Sequence, residues 1–445
     1  MTTPTTAAAA PTTPRRSLFF HHDFRQLWMG DTVSVFGTQF VLFAMPLLAV
    51  QLLHADAFQM GILSMLESLA FLLISLPAGA WVDRWRKKRV IVLGDIMRAL
   101  LLLTIPIAHL LHLLTIWQLF VIAFVVGCIT VFFDVANQSY LPEIVHGDQI
   151  GEGNGKLQAS QQTAGVIGPA AASALVRLLG SPLTVAVTAV CMGLSSLFVS
   201  RIRHQEAEPA GVVRRPLWHE IREGLSFVVS HPLLRRIVAC TGISNLASSA
   251  VFALFVLYTI RTLGFSETTL GLVMSVGAVG GLLGAISSDR VAKLIGEGRV
   301  IPVSAVIFGV FSLALPLASF LPAVPTLMVG QFVTSWSVVV YNIAQVSFRQ
   351  RLCPKPLLGR MNASIRFLVW GPMPIGAFLG GLFGRHLGLL ETMWIFGAVS
   401  IASALPVLIS PLIGMRDLPR SLDALADSHE SNSHEEGTQP VVSEP

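Results

Sequence analysis

Charge is scarce in this sequence: Asp, Glu, Lys and Arg together make up 12% of its 445 residues. Soluble chains average about a quarter. A globule of this length needs a charged skin, and half the usual supply excludes a water-soluble fold. Cysteine is also sparse. Cys128, Cys191, Cys240 and Cys353 lie far apart, which excludes a disulfide framework and any paired metal-ligand spacing. The first three fall in or near apolar runs and read as small packing residues. The sequence has no G-x-x-x-x-G-K-[ST] phosphate loop, so nucleotide hydrolysis does not drive it directly. It also shows no nucleophile–base set and no His/Cys metal cluster. The expectation is therefore not an enzyme, with no cofactor and no metal. The amino-terminal MTTPTTAAAAPTTPRR lacks the apolar core of a signal peptide and reads as a polar tail.

What is plentiful is apolar surface: 53% of residues are hydrophobic and the mean hydropathy is +0.69. The apolar residues form continuous blocks, which excludes the alternating pattern of a membrane β-barrel. Each block is long enough to cross hydrocarbon as a helix, which takes ~20 residues. Spans are predicted near 28–53, 58–81, 90–111, 114–135, 157–179, 183–201, 235–259, 268–288, 300–320, 324–346, 361–384 and 390–413. The fold class is thus an all-α integral membrane protein of twelve transmembrane helices. Its expected parts are an N-tail (1–22), a six-helix half (23–202), a linker (203–232), a second six-helix half (233–414) and an acidic C-tail (415–445).

The formal net charge of +5 does not point to nucleic acid. The basic residues cluster in alternate connections: Arg84, Arg86, Lys87, Lys88 and Arg89; then Arg201, Arg203, Arg214 and Arg215; then Arg290, Lys293 and Arg299; then Arg349, Arg351, Lys355 and Arg360. The intervening connections carry only Arg177, Arg261 and Arg385. The positive-inside rule puts the basic set, and with it both termini, in the cytoplasm. The expected location is a bacterial inner membrane, with membrane lipids as partners and a monomeric state.

The two halves echo each other at an offset near two hundred residues. DFRQLW before the first span parallels LLRRIV before the seventh, and AFQMGIL at 57–63 parallels ETTLGLV at 267–273. DVANQSYLPEI at 134–144 parallels NIAQVSFRQRL at 342–352, LQAS at 157–160 parallels MNAS at 361–364, and Gly168-Pro169 parallels Gly371-Pro372. Parallel six-helix repeats around a central linker place a substrate site near midplane, between halves that rock.

On these features, together with DFRQLWMGDTVSVFGTQF and LPAGAWVDRWRKKRVIVLGDIMRA, the chain resembles the major facilitator superfamily. More narrowly it resembles the branch containing the enterobactin exporter and the macrolide efflux proteins. Gly79-x-x-x-Asp83-Arg84-x-Arg86-Lys87-Lys88 is similar to the superfamily's loop signature between spans 2 and 3, with Arg86 in the place of a glycine. A glycine permits close helix approach, and a carboxylate at a helix end suits a neighbouring helix N-terminus. The resemblance implies a latch of Gly79, Asp83, Arg84, Lys87 and Lys88, with Asp134 as a partner for Arg84 or a nearby base. The plainer reading is a basic loop that sets topology. Span 4 has no arginine or lysine, a departure from many drug:proton antiporters. Span 5 carries Gly165, Gly168 and Pro169, a partial match to the antiporter signature and an expected hinge; packing alone is the alternative.

Ionisable residues inside apolar spans complete the candidate site, since each costs ~2.5–3.5 kcal/mol at mid-bilayer on insertion scales. Glu67 is the deepest carboxylate, with no local partner; it can bind protons or a cationic group, or brace a helix. Asp31, one turn into span 1, can cap, snorkel or couple protons. Asp95 and Arg98 at i,i+3 share a face and read as a structural ion pair. Arg366 has no local acid and can hold an anionic substrate group or snorkel. Trp28, Trp81, Trp117 and Trp394 suit interfacial belts. The expected function is proton-coupled efflux of amphiphilic small molecules (drugs, secondary metabolites or siderophores) by alternating access. Uptake or facilitated transport of a small metabolite, and a non-transporting receptor or scaffold, are the alternatives.

Overall fold

An apolar run in a bilayer must satisfy its own backbone hydrogen bonds, and a helix does so within one segment. The computed structural model describes residues 18–82, 84–145, 149–204, 206, 225–226, 228–352 and 358–415, and no strand occurs among them. The first half holds α1 (His22–Gln51), α2 (Ala57–Val82), α3 (Lys87–Leu110), α4 (Ile116–Ile144), α5 (Ile150–Leu179) and α6 (Ser181–Ser200). The second holds α7 (Pro232–Arg261), α8 (Glu267–Ile295), α9 (Glu297–Ser312, continued by Ala314–Leu317) and α10 (Ala323–Leu352). It ends with α11 (Leu358–Trp370 and Pro372–His386) and α12 (Leu389–Ala402, continued by Leu405–Leu408).

Eleven of these helices are long and apolar enough to cross a membrane. The remaining one, α5, is 30 residues long but carries Glu152, Lys156, Gln158, Gln161 and Gln162 in its first half, and it packs between α1 and α8. The helices outrun the sequence spans at one end of the bundle. α4 continues to Ile144, α8 to Ile295 and α10 to Leu352, and α5 begins at Ile150. Hydropathy marks only the part in hydrocarbon, whereas backbone hydrogen bonding continues unbroken into water.

The repeat extends to individual hydrogen bonds. His21 Nδ1 accepts from Phe24 N at 3.2 Å to cap α1, and His231 Nδ1 accepts from Leu234 N at 3.3 Å to cap α7. The α1–α2 turn closes with Leu53 N donating to Leu48 O and Ala55 N to Ala49 O; the α7–α8 turn closes with Leu263 N to Tyr258 O and Phe265 N to Thr259 O. His54 (φ 52°) and Gly264 (φ 68°) take the same left-handed position in the two turns. The Gly-Pro pairs differ. α5 runs uninterrupted through Gly168-Pro169, whereas α11 breaks at Gly371 and restarts at Pro372.

The halves meet at the end remote from the termini. Gln51 Nε2 donates to Glu267 Oε1 at 2.7 Å, and Arg261 donates to Val50 O at 3.2 Å. α2 and α11 touch backbone to backbone: a Cβ on Gly61 would lie 2.5 Å from the Cα of Gly381. Phe58 packs edge-on to Phe378 beside them. One apolar core spans both halves at this end, with Leu47, Leu48, Met60 and Leu63 joining Leu254, Leu257 and Leu270. At the end that carries the termini the cores are separate. Phe24, Ile91, Phe133 and Tyr140 form one within the first half; Leu234, Ile237, Phe348 and Met361 form another within the second. The bundle is therefore closed at one end and parted at the other.

Candidate functional site

The seam between the halves collects the polar residues that the apolar spans cannot otherwise hold. Glu67 lies about 15 Å along α2 from its start at 1.5 Å per residue, partly buried, with no hydrogen bond or ion pair to any described residue. It shares a helix face with Phe71, one turn away. Phe71 stacks on Trp370 of α11 with ring centroids 4.4 Å apart. The Arg366 guanidinium lies 5.1 Å from the Trp370 centroid and 5.7 Å from that of Phe71. Arg366 is exposed into the space between the halves and sits close enough to Asp134 of α4 for their charges to interact.

Behind this seam lies a buried ionic network within the first half. Asp31 is 4% exposed, and Asn137 Nδ2 donates to its Oδ1 at 2.6 Å. α1 starts six residues before the predicted span, so Asp31 is about 14 Å into the helix rather than one turn from its end. Its burial excludes capping and snorkelling. Asp95 and Arg98 are 0% and 2% exposed and pair at 2.5 Å. The guanidinium also lies 4.0 Å over the Phe133 ring and donates to Thr130 at 3.4 Å. Ser34 and Ser195 flank Asp95. Yet Asp31 Oδ2, Asp95 Oδ2 and Arg98 Nε have no hydrogen-bond partner among the described residues. Asp31, Asp95 and Asp134 lie near enough to act on one another electrostatically. The buried Asp95 and the exposed Asp134 both lie within electrostatic reach of Arg98, and Asp31 lies within reach of both acids. Asn137, which links Asp31 to α4, carries no signal in a single sequence because an asparagine in an apolar span equally well braces helices.

In this parted arrangement the described residues of the basic loop make contacts within the first half. Lys87 pairs with Glu143 of α4, and Lys88 Nζ donates to Ile202 O at 2.6 Å. Glu206, at the start of the linker, accepts from both Lys87 N and Lys88 N at 2.6 Å and so caps α3. These contacts stay within the first half. Arg84 is exposed, and the charges acting on Asp134 come from Arg98 and Arg366 instead of Arg84. The reason is geometric: Arg98 and Arg366 come from the interior and from the opposite half, which spacing along the loop cannot register. Asp83 and the surroundings of Gly79 lie outside the described residues.

In α5, Gly165 faces open space, while a Cβ on Gly168 would lie 2.6 Å from the Gln39 side chain of α1. Pro169 and Ser173 abut Gly271 of α8, across the seam. At the repeat-related Gly371-Pro372 the helix is interrupted, whereas the expected hinge at Gly165, Gly168 and Pro169 lies within a continuous helix.

The second half holds a cavity of about 450 Å³ between α7, α9 and α10, lined by Thr241, Ser244, Asn245, Thr334, Ser335 and Asn342. It adjoins an apolar chamber of about 190 Å³ walled by Phe252, Phe255, Phe308 and Phe311; Ser248, Phe308, Gln331 and Thr334 line both. No charged residue lines either space. Asn245 Nδ2 is bound to Val369 O at 2.9 Å, which braces α7 against α11. Together the two chambers offer hydroxyls and amides beside aromatic rings, a surface for an uncharged amphiphile.

Comparison with known proteins agrees with this architecture. The chain is similar to the multidrug efflux pump Tap of Mycolicibacterium fortuitum, at 26% identity over 86% of this chain and 92% of that one. It is similar to macrolide efflux protein A of Streptococcus pyogenes at 21% identity, over 88% and 95%. In fold it matches the inward-facing bacterial homologue of the iron transporter ferroportin, with a TM-score of 0.70, 16% identity, and 87% and 98% of the two chains covered. Residues 13–439 match the sequence profile of the transmembrane secretion effectors. The parted helical halves and the profile match lead to one assignment: the chain belongs to the transmembrane secretion effector family of the major facilitator superfamily, multi-pass membrane carriers and not enzymes.

Proposed function

We propose that this carrier exports uncharged or cationic amphiphilic small molecules, driven by protons moving inward, with both termini in the cytoplasm of a bacterial inner membrane and the monomer as working unit. The observation that carries the reading is Glu67: a membrane-embedded carboxyl group with no hydrogen bond or ion pair among the described residues, one helical turn from Phe71, which meets Trp370 of α11. Ionised, it costs several kcal/mol at this depth; a bound proton removes that charge. A carboxyl group on a seam between moving halves ties protonation to the position of those halves, which is what coupling requires. The ionic network of Asp31, Asp95, Arg98 and Asp134 supplies further proton-holding groups toward the parted end.

With the termini inside, the parted end opens to the cytoplasm, an arrangement that suits the loading of cargo for export. The names of the two efflux relatives favour the same direction. Amphiphilic cargo enters between the halves and rests against the hydroxyl and amide cavity with its apolar part among the phenylalanines. Closure toward the cytoplasm then requires the contacts at Gly61–Gly381 and Gln51–Glu267 to separate.

The test is transport in proteoliposomes with an imposed proton gradient, screened over a panel of amphiphilic cations, neutral glycosylated compounds and anionic chelators. Accumulation of the first two classes that collapses with the gradient supports the reading. Gradient-independent equilibration would assign a facilitated carrier instead.

A further inference from the structure

The strongest unassigned feature is a cleft on the outer face of the first half, where α3 and α4 flank the basic loop. It measures about 660 Å³ and is lined by Arg84, Trp85, Arg86, Arg89, Met97 and Phe132. Its aromatic wall is ordered: Trp81 lies parallel to Phe132 with centroids 5.9 Å apart and planes at 7°, and Trp85 rests on the same ring at 5.8 Å. Trp81 and Trp85 remain 47% and 49% exposed. A second cleft of about 810 Å³ lies on the α6 side of α3 and shares Arg86, Arg89 and Leu93 with the first. The two arginines therefore stand on a ridge between the first, largely apolar cleft and the second, whose lining is mostly polar (Lys88, Ser200, His204 and Glu206).

Among the described residues the charge at this ridge has no counterpart. Arg84, Arg86 and Arg89 are exposed, and no carboxylate among the described residues pairs with their guanidinium groups. The nearby Glu206 is already committed, both of its oxygens accepting from the first amides of α3. Below the ridge the walls turn apolar, with Leu93 and Met97 about half exposed toward the surrounding hydrocarbon. A cationic rim over an apolar cleft, at a helix end where the membrane surface lies, complements a molecule with an anionic head and long apolar chains. Guanidinium groups bind phosphate oxygens in bidentate fashion, and Trp rings favour the headgroup depth.

We infer that this ridge is a binding site for one anionic diacyl phospholipid, with its phosphate held by Arg86 and Arg89 and its acyl chains lying along the apolar groove between α3 and α4. The net negative headgroup matters. A zwitterionic lipid would bring an ammonium into a rim that already holds three unpaired guanidinium groups and Lys88. The site does not depend on the transport reading, because it lies outside the seam.

The test is native mass spectrometry of the full chain released from nanodiscs of equal phosphatidylglycerol and phosphatidylethanolamine. One phosphatidylglycerol should remain bound at several-fold higher occupancy than phosphatidylethanolamine. Arg86→Gln combined with Arg89→Gln should reduce its retention about tenfold or more. Met97→Trp, which fills the apolar groove and leaves the charges, should reduce retention as well. Thermal unfolding in zwitterionic nanodiscs shows whether the variants fold; should the double Gln variant fail to fold, Met97→Trp and the lipid comparison on the unaltered chain decide the matter. Equal retention of both lipids, or undiminished retention by a folded double variant, would overturn the site. Displacement of the bound lipid by millimolar inorganic phosphate or glycerophosphate would also overturn it, by showing that the ridge recognises only a phosphate.

Discussion

The two halves of this carrier share a backbone plan and divide their chemistry. The helices of the first half carry Asp31, Glu67, Asp95 and Asp134 within their apolar spans, with the single guanidinium of Arg98 among them. In the second half the acids are Glu267, Asp289, Glu297 and Glu391, all at or near helix ends, and its internal cavity is walled by hydroxyls, amides and phenyl rings. Identical caps and turns have thus been filled with different side chains. The contrast teaches that a repeated fold fixes where helices cross, while the residues at the crossings are free to specialise. On the proposed reading, proton handling falls to one half and recognition of uncharged cargo to the other.

That division can be broken by substitution. Glu67→Gln should have the largest effect: gradient-driven efflux of a cationic dye falls to the level of empty liposomes while expression and folding stay normal. Unchanged efflux would remove Glu67 from the coupling scheme. Next comes the buried pair. Arg98→Ala leaves Asp95 without its partner in a dry interior and should destabilise the protein by about 3–5 kcal/mol, read as a lower unfolding temperature in detergent. Replacing both residues with apolar ones of similar volume should recover much of that loss; no recovery would argue against a lone buried charge as its cause.

A smaller effect is expected in the second half. Gln331→Ala should raise KM for a hydroxyl-rich neutral cargo by about five- to thirtyfold, the value of one or two hydrogen bonds of about 1 kcal/mol each, and leave the pH dependence of transport unmoved. A shifted pH profile would show that the halves do not divide the work. The smallest effect concerns the α7 cap. Burial lowers the His231 imidazole from its usual 6.5, so the folded state favours the neutral ring that accepts from Leu234 N. Its contribution is full above pH 6.5 and is lost as the pH falls toward and through the lowered folded value. His231→Asn should keep the cap, worth about 1 kcal/mol, and reduce the acid sensitivity of unfolding; an unchanged pH dependence would assign that sensitivity elsewhere.

Much of the fold was legible along the chain. Apolar blocks gave the helices, and echoes such as AFQMGIL and ETTLGLV anticipated the matched turns at His54 and Gly264. The helices α4, α8 and α10 run past the spans read from the sequence because hydropathy falls where the helix leaves hydrocarbon and hydrogen bonding does not. The candidate site was legible as a set of residues and illegible as an arrangement. Asp31 stood out as a charge in an apolar span, but its bond to Asn137 joins α1 to α4 across more than a hundred residues. Asp134, expected to partner Arg84 or a nearby base, sits within reach of Arg98 and of Arg366 from the opposite half, which no spacing along the chain could identify.

The sequence by itself determined that this is a membrane carrier of two repeated helical halves, because hydrocarbon tolerates only self-satisfied backbone and a repeat of one chain segment yields a repeat of one fold. It also determined which ionisable groups stand at membrane depth, since a charge in an apolar run is visible without coordinates. Only the tertiary structure decided which of those groups are paired and which, like Glu67, stand alone. It alone decided that the bundle is closed at Gly61–Gly381 and parted at the other end. Pairing and closure depend on contacts between helices distant in sequence, whose energies come from distance and burial rather than from order along the chain.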